Sequence, residues 1–154
     1  MFSRLRLAAA LCLVSALGAC SSHEPDTAPS ALSIVGNWTQ GANLRDTANA
    51  QTHIHTGYFS FAQQGGGFNG TGKQTGLCHS ASGDYEGPLA TGGLFHITNG
   101  EQHGNEVSFN SDLCTYTGAM SADGSRIEGK ASCAYTDGGV DFIWTGDWLA
   151  DRQP

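Results

Sequence analysis

From Ser33 onward, apolar and polar residues alternate with a period of two, and glycine-rich turns interrupt the alternation at short intervals. That pattern predicts strands, because successive side chains on a strand point to opposite faces. Eight runs follow: Ser33–Gln40, Thr52–Gln63, Gly67–Cys78, Asp84–Thr91, Leu94–Gln102, Glu106–Met120 with a break near Ser111, Arg126–Tyr135 and Val140–Ala150. Turn signals separate them, among them Gly65-Gly66, Gly92-Gly93, Gly104-Asn105, Asp123-Gly124 and Gly138-Gly139. No stretch sustains a helical period. Short sequential strands with tight turns predict an all-β fold. Hairpin-linked order favours a small eight-stranded antiparallel up-and-down β-barrel, since closure removes both exposed edges.

Two hairpins can be registered from the sequence. Around Asp123-Gly124, a four-residue loop Ala122–Ser125 places Met120 opposite Ile127, Gly118 opposite Gly129, Tyr116 opposite Ala131 and Cys114 opposite Cys133. All eight share one face, and Thr115, Thr117, Arg126, Glu128, Lys130 and Ser132 share the other. Around Gly65-Gly66, Phe61 falls opposite Gly70, Phe59 opposite Gly72 and His53 opposite Cys78. An aromatic ring over a cross-strand glycine covers exposed backbone.

The last strand carries Phe142, Trp144, Gly146 and Trp148 on one face, and the first opens Gly36-Asn37-Trp38. A Gly-x-Trp on strand one of an eight-stranded antiparallel barrel resembles the lipocalin and avidin group, the calycins. The resemblance covers residues 33–152 loosely. It implies that Trp38 plugs one end of the barrel and that Arg152, after the last strand, stacks on it. The lipocalin Thr-Asp-x-x-Tyr signature is absent. Gln40 and Leu44 stand where avidins carry biotin ligands, so no ligand is implied.

The N-terminus has a different pattern. Arg4 and Arg6 precede an uncharged Ala/Leu-rich run from Leu7 to Ala19. This is the layout of a secretory signal, and it is shorter than the ~20 apolar residues needed to span a bilayer. It ends Leu17-Gly18-Ala19-Cys20, which resembles the lipobox of exported bacterial lipoproteins. The resemblance implies cleavage before Cys20, palmitate and related acyl chains on that residue, and attachment to the cell envelope. Ser21 rather than Asp after Cys20 resembles an outer-membrane address, facing the periplasm. Ser21–Leu32, with Pro25 and Pro29, reads as a flexible tether. The organisation is therefore 1–19 signal peptide, 20–32 lipidated N-terminus and tether, and 33–154 one β-barrel domain.

Without Arg4 and Arg6, five Lys+Arg remain against 14 Asp+Glu, a formal charge of −9. Acidic residues are spread singly. This excludes nucleic acid as a partner, because phosphates demand clustered Lys and Arg. Cys12 lies in the signal and Cys20 at the lipid anchor, leaving Cys78, Cys114 and Cys133. Beyond the membrane a disulfide is expected. The facing pair Cys114 and Cys133 has suitable geometry, with Cys78 to either of them as the alternative.

Candidate chemistry is sparse. His53-Ile54-His55 puts two imidazoles on one face with Cys78 opposite, donors of the type Zn²⁺ uses. No full ligand set accompanies them, so they read as barrel-mouth histidines beside a buried thiol, and no metal or cofactor is expected. Asp84/Glu86 and Asp137/Asp141 read as solvated turn carboxylates rather than acid–base pairs. No nucleophile, P-loop or dinucleotide motif appears, so no catalytic residue is assigned. Trp38, Phe59, Phe61, Tyr116, Trp144 and Trp148 are either filled core or the lining of a cavity above interior glycines. The expectation is a membrane-anchored barrel binding a small apolar or amphipathic ligand. The alternative is a filled structural barrel that meets a protein partner.

Overall fold

The computed structural model describes residues 32–86, 89 and 93–154. The signal peptide, the Leu17–Cys20 motif and the tether up to residue 31 lie outside the described residues. Nine antiparallel strands are present among those described: β1 Gly36–Asp46, β2 Gln51–Gln64, β3 Gly67–Ser80, β4 Gly83–Tyr85, β5 Leu94–His103, β6 Glu106–Asn110, β7 Cys114–Met120, β8 Arg126–Asp137 and β9 Val140–Arg152. Each wall strand pairs with its neighbour in the chain, and β1 pairs with β9. The result is a closed, eight-stranded up-and-down barrel. β4 pairs only with the end of β3, through Cys78–Tyr85 to Ser80–Gly83, and adds no stave to the wall.

The predicted count of eight is met by a different division of the chain. Among its described residues, the run Asp84–Thr91 contributes to the short β4 and to no wall strand; residues 87, 88, 90 and 91 lie outside the described residues. Glu106–Met120 supplies two wall strands, because Ser111–Leu113 turns the chain; Ser111 N donates to Cys114 O at 2.7 Å. β1 runs through Asp46 rather than stopping at Gln40, and residues 33–35 precede it. Asp46 ends the strand: its carboxylate accepts from the backbone N–H groups of Ala48, Asn49 and Ile143 and from the Asn49 side chain.

Both sequence-derived registers are present. Cys114, Tyr116, Gly118 and Met120 face Cys133, Ala131, Gly129 and Ile127. Phe59, Phe61 and His53 face Gly72, Gly70 and Cys78. The inward set is buried apart from the half-buried Gly70, Gly118 and Gly129, while Thr115, Thr117, Glu128, Lys130 and Ser132 face solvent. Cys114 and Cys133 form a disulfide across Cα atoms 4.0 Å apart, and Cys78 is a buried free thiol. The alternative of a bridge through Cys78 is thereby set aside.

One end of the barrel is closed. Trp38 is fully buried, its indole N–H donates to Ile34 O at 2.8 Å, and the Arg152 guanidinium lies 4.4 Å from its ring centroid. Arg152 also donates to the carbonyls of Gly124, Val35 and Ser33. Gly36 has φ +131°, and a Cβ there would sit 3.1 Å from Arg152 Nη1. The Gly-x-Trp pattern thus has a physical basis: glycine makes the corner under which the tryptophan and arginine meet. Gln102 fixes the entering chain, donating to Leu32 O and accepting from Ile34 N.

Candidate functional site

The barrel interior divides into two zones. Next to the Trp38 end lies an aromatic floor. Phe59 contacts the rings of Phe61, Phe95, Phe109, Tyr116 and Trp148 at centroid distances of 5.4–6.1 Å, and Phe109 stacks on Tyr116 at 4.7 Å. The edge-to-face geometry that dominates is the favoured one for quadrupolar rings. Trp148 donates its indole N–H to Thr117 O at 2.9 Å. The interior glycines were expected to leave volume unfilled. Two of them do not: a Cβ at Gly72 would lie 2.3 Å from Phe95 and 2.9 Å from Phe59, and one at Gly100 would lie 2.4 Å from Phe68. The rings already occupy the space above these positions.

Towards the opposite end the inner wall becomes polar. His53 and His55, inward on β2, are 0% and 1% exposed. Their Nδ1 atoms are 3.2 Å apart, a hydrogen-bond distance. The ring of Trp144 stands edge-on to His53 at 6.4 Å and stacks on Phe142 at 5.6 Å. Gln40 on β1 and Gln74 on β3, both buried, meet across Gly57, with Nε2 to Oε1 at 3.5 Å. Of this group, Gln40 Oε1, His53 Nε2, His55 Nε2 and Trp144 Nε1 are buried without a hydrogen-bond partner. Buried polar atoms in native proteins are almost always paired, and each unpaired one costs about 1–3 kcal/mol. A cavity of about 70 Å³ adjoins this zone, lined by Gln74, Leu89, Phe95, Ser111, Leu113 and Cys114 among others.

The electrostatics follow from burial. Desolvation holds His53 down to about 4, with a lesser contribution from His79, and His55 down to about 3, with a lesser contribution from His53. Both imidazoles are neutral at pH 7. Burial pushes the Tyr116 hydroxyl up to about 12. The thiol of Cys78 donates to Gln51 Oε1 at 3.5 Å. Among the described residues, no three His, Cys, Asp or Glu side chains are arranged to hold a metal ion; the His-x-His pair is engaged with itself.

The structure brings some sequence-derived residues together and separates others. Phe59, Tyr116 and Trp148 share the floor, with Phe61 beside Phe59 and Phe109. Trp38 belongs to the closed end, and Trp144 belongs to the polar zone. Asp84 pairs with His79 at 2.8 Å on the surface, and Asp141 accepts from Thr136. Both are exposed. Gln40 and Gln74 were not singled out as a pair. Alternation from Trp38 already places Gln40 inside, but their meeting depends on the pairing of three strands. Searches of family profiles, curated proteins and solved structures return no match for this chain.

Proposed function

We propose that the chain is an exported lipoprotein, acylated on Cys20 and held on the envelope at the outer membrane facing the periplasm, whose barrel binds a small apolar or amphipathic molecule. The Leu17-Gly18-Ala19-Cys20 motif supports the anchor. The clamp on residues 32–35 supports an orientation: the tether reaches the barrel at its Trp38 end, so the polar zone faces away from the lipid. One observation carries the binding reading. Inside the barrel, buried polar atoms of Gln40, His53, His55, Trp144 and Tyr116 lack partners, and His53, His55 and Trp144 lie beyond the aromatic floor from the Trp38 end. A ligand with an apolar body and a polar head offers those atoms partners. Its apolar part would rest against Phe95, Tyr116 and Trp144, above Phe59, Phe61 and Trp148.

Native mass spectrometry of the mature protein tests this reading. A bound small molecule, displaced by a His53 or Gln40 substitution, is the expected result. Metabolic labelling with palmitate, lost in Cys20→Ser, tests the anchor. The packed floor favours a second reading, a filled barrel that meets a protein partner through its outer wall. Crosslinking to one specific envelope protein, with no small molecule bound, is the result that reading requires.

A further inference from the structure

The chain contains two Asn-Gly steps, Asn69-Gly70 on β3 and Asn99-Gly100 on β5. This dipeptide is chemically labile. Attack by the nitrogen of the second residue on the carboxamide carbon of the first closes a five-membered ring, and glycine, with no Cβ, lets that nitrogen approach. The fold treats the two steps differently. Asn69 is held in the wall: it is half-buried and pairs with Ala62 of β2. Gly70 pairs with Phe61 on one side and with Ile97 on the other.

Asn99 is held out of the wall. The register of β5 shifts there against both neighbours. On the β3 side Ile97 pairs with Gly70 but Gly100 with Phe68, and on the β6 side Thr98 pairs with Asn110 but Glu101 with Ser108. Asn99 and Gly100 together oppose Phe109, the two-against-one count of a β-bulge. Asn99 has φ +52°, in the left-handed region. It is exposed, and its carboxamide makes no hydrogen bond among the described residues. Both members of the step are fixed by the fold. Asparagine is one of the few side chains that accept a left-handed backbone, and the ring of Phe68 fills the place of a Cβ at Gly100. Asn99 and Gly100 line a surface cleft of about 530 Å³ with Glu101 and His103, so water reaches the site.

We propose that Asn99 is a site of covalent self-modification, deamidating through a cyclic imide in the folded barrel while Asn69 stays intact. The Gly100 nitrogen gives up its proton and attacks Asn99 Cγ. A new C–N bond forms, the carboxamide C–N bond breaks, and its nitrogen leaves as ammonia with the proton that Gly100 released. Water then adds to one of the two ring carbonyls. Opening at the former side-chain carbonyl restores the backbone and leaves Asp at position 99. Opening at the main-chain carbonyl leaves isoaspartate, whose backbone is longer by one carbon. One water is consumed, one ammonia is released, and nothing is oxidised or reduced. The product carries one more negative charge at the Trp38 end, next to Glu101. A bulge already out of step with both neighbours takes up the longer backbone, whereas a continuous ladder would lose its register. This inference stands independently of the binding reading above.

The test incubates the purified protein at pH 8 in water labelled with heavy oxygen, folded in one arm and unfolded in guanidinium chloride in the other. Peptide mass spectrometry follows both Asn-Gly steps, and the label marks each ring that water has opened. In the folded arm Asn99 is expected to react at least about tenfold faster than Asn69, because Asn69 must first break ladder hydrogen bonds. In the unfolded arm the two rates are expected to converge, since neither step is then held. Equal rates in the folded arm overturn the proposal, as does a folded Asn99 that stays as inert as Asn69 while both react when unfolded. A rate ratio unchanged by unfolding also overturns it, because the selectivity would then belong to the flanking sequence and not to the bulge.

Discussion

Stability between pH 8 and pH 5 is governed by the buried histidine pair. In the unfolded chain both imidazoles titrate near 6.5; in the barrel they are held down to about 4 and about 3. Over this window the unfolded state binds more protons than the folded one, so stability rises with pH and is lost as pH falls. The loss begins as pH drops through 6.5 and is complete only below about 3, once both folded values have been passed. At pH 5 each group costs about 2 kcal/mol relative to pH 8, and the pair costs about 4 kcal/mol. Urea unfolding followed by tryptophan fluorescence reads this directly. With a slope near 2 kcal/mol per molar, the midpoint falls by about 2 M between pH 8 and pH 5. Reduced self-repulsion of an acidic chain acts in the opposite direction, and the carboxylates held low in the barrel, Asp46 and Asp123, lose their contribution mainly below pH 5. His55→Leu halves the pH dependence to about 2 kcal/mol, whatever it does to stability at pH 8. A midpoint that stays level from pH 8 to pH 5, or a pH dependence equal in wild type and His55→Leu, refutes the assignment of a neutral, desolvated pair.

Other expectations concern the scaffold. Replacing Cys114 and Cys133 together with serine removes a bridge spanning 19 residues and lowers stability by about 3 kcal/mol, read from the urea midpoint. Arg152→Ala removes the cation over Trp38 and three backbone contacts. It costs about 2–4 kcal/mol, and hydrogen exchange should show residues 32–38 losing protection first; equal protection in both proteins would refute the closure role. Gly72→Ala forces a methyl against Phe95 and Phe59 and costs about 1–3 kcal/mol in thermal unfolding. Gly66→Ala has no atom within 4 Å of the new methyl and leaves the midpoint in place.

Period-two alternation was enough to say which face each strand residue takes, because the pleat fixes that face whatever the partner. It placed Tyr116 and Ile127 on one face with Glu128 and Lys130 on the other, and put Trp144 and Trp148 together on one face. Short turns pointed to the two hairpin registers and put Cys114 opposite Cys133, but the loop length was assumed, and a bridge through Cys78 stayed open until the structure paired Cys114 with Cys133. The N-terminal pattern pointed to export on its own, without reference to the fold. Closure lay beyond local pattern. The Asp84 run has strand-like composition, yet among its described residues only Asp84 and Tyr85 pair, with the end of β3, and β1 continues past Gln40 because β9 is there to pair with it. Whether the interior glycines leave a void depended on rings from other strands: Phe95 on β5 covers Gly72 on β3, and Phe68 on β3 covers Gly100 on β5. The polar zone is likewise a product of closure. Gln40, Gln74, the His53–His55 pair and Trp144 come from β1, β3, β2 and β9, and the wrapped sheet brings them inside together. Their shared burial, which holds both histidines neutral, exists only once the barrel has excluded water from all sides.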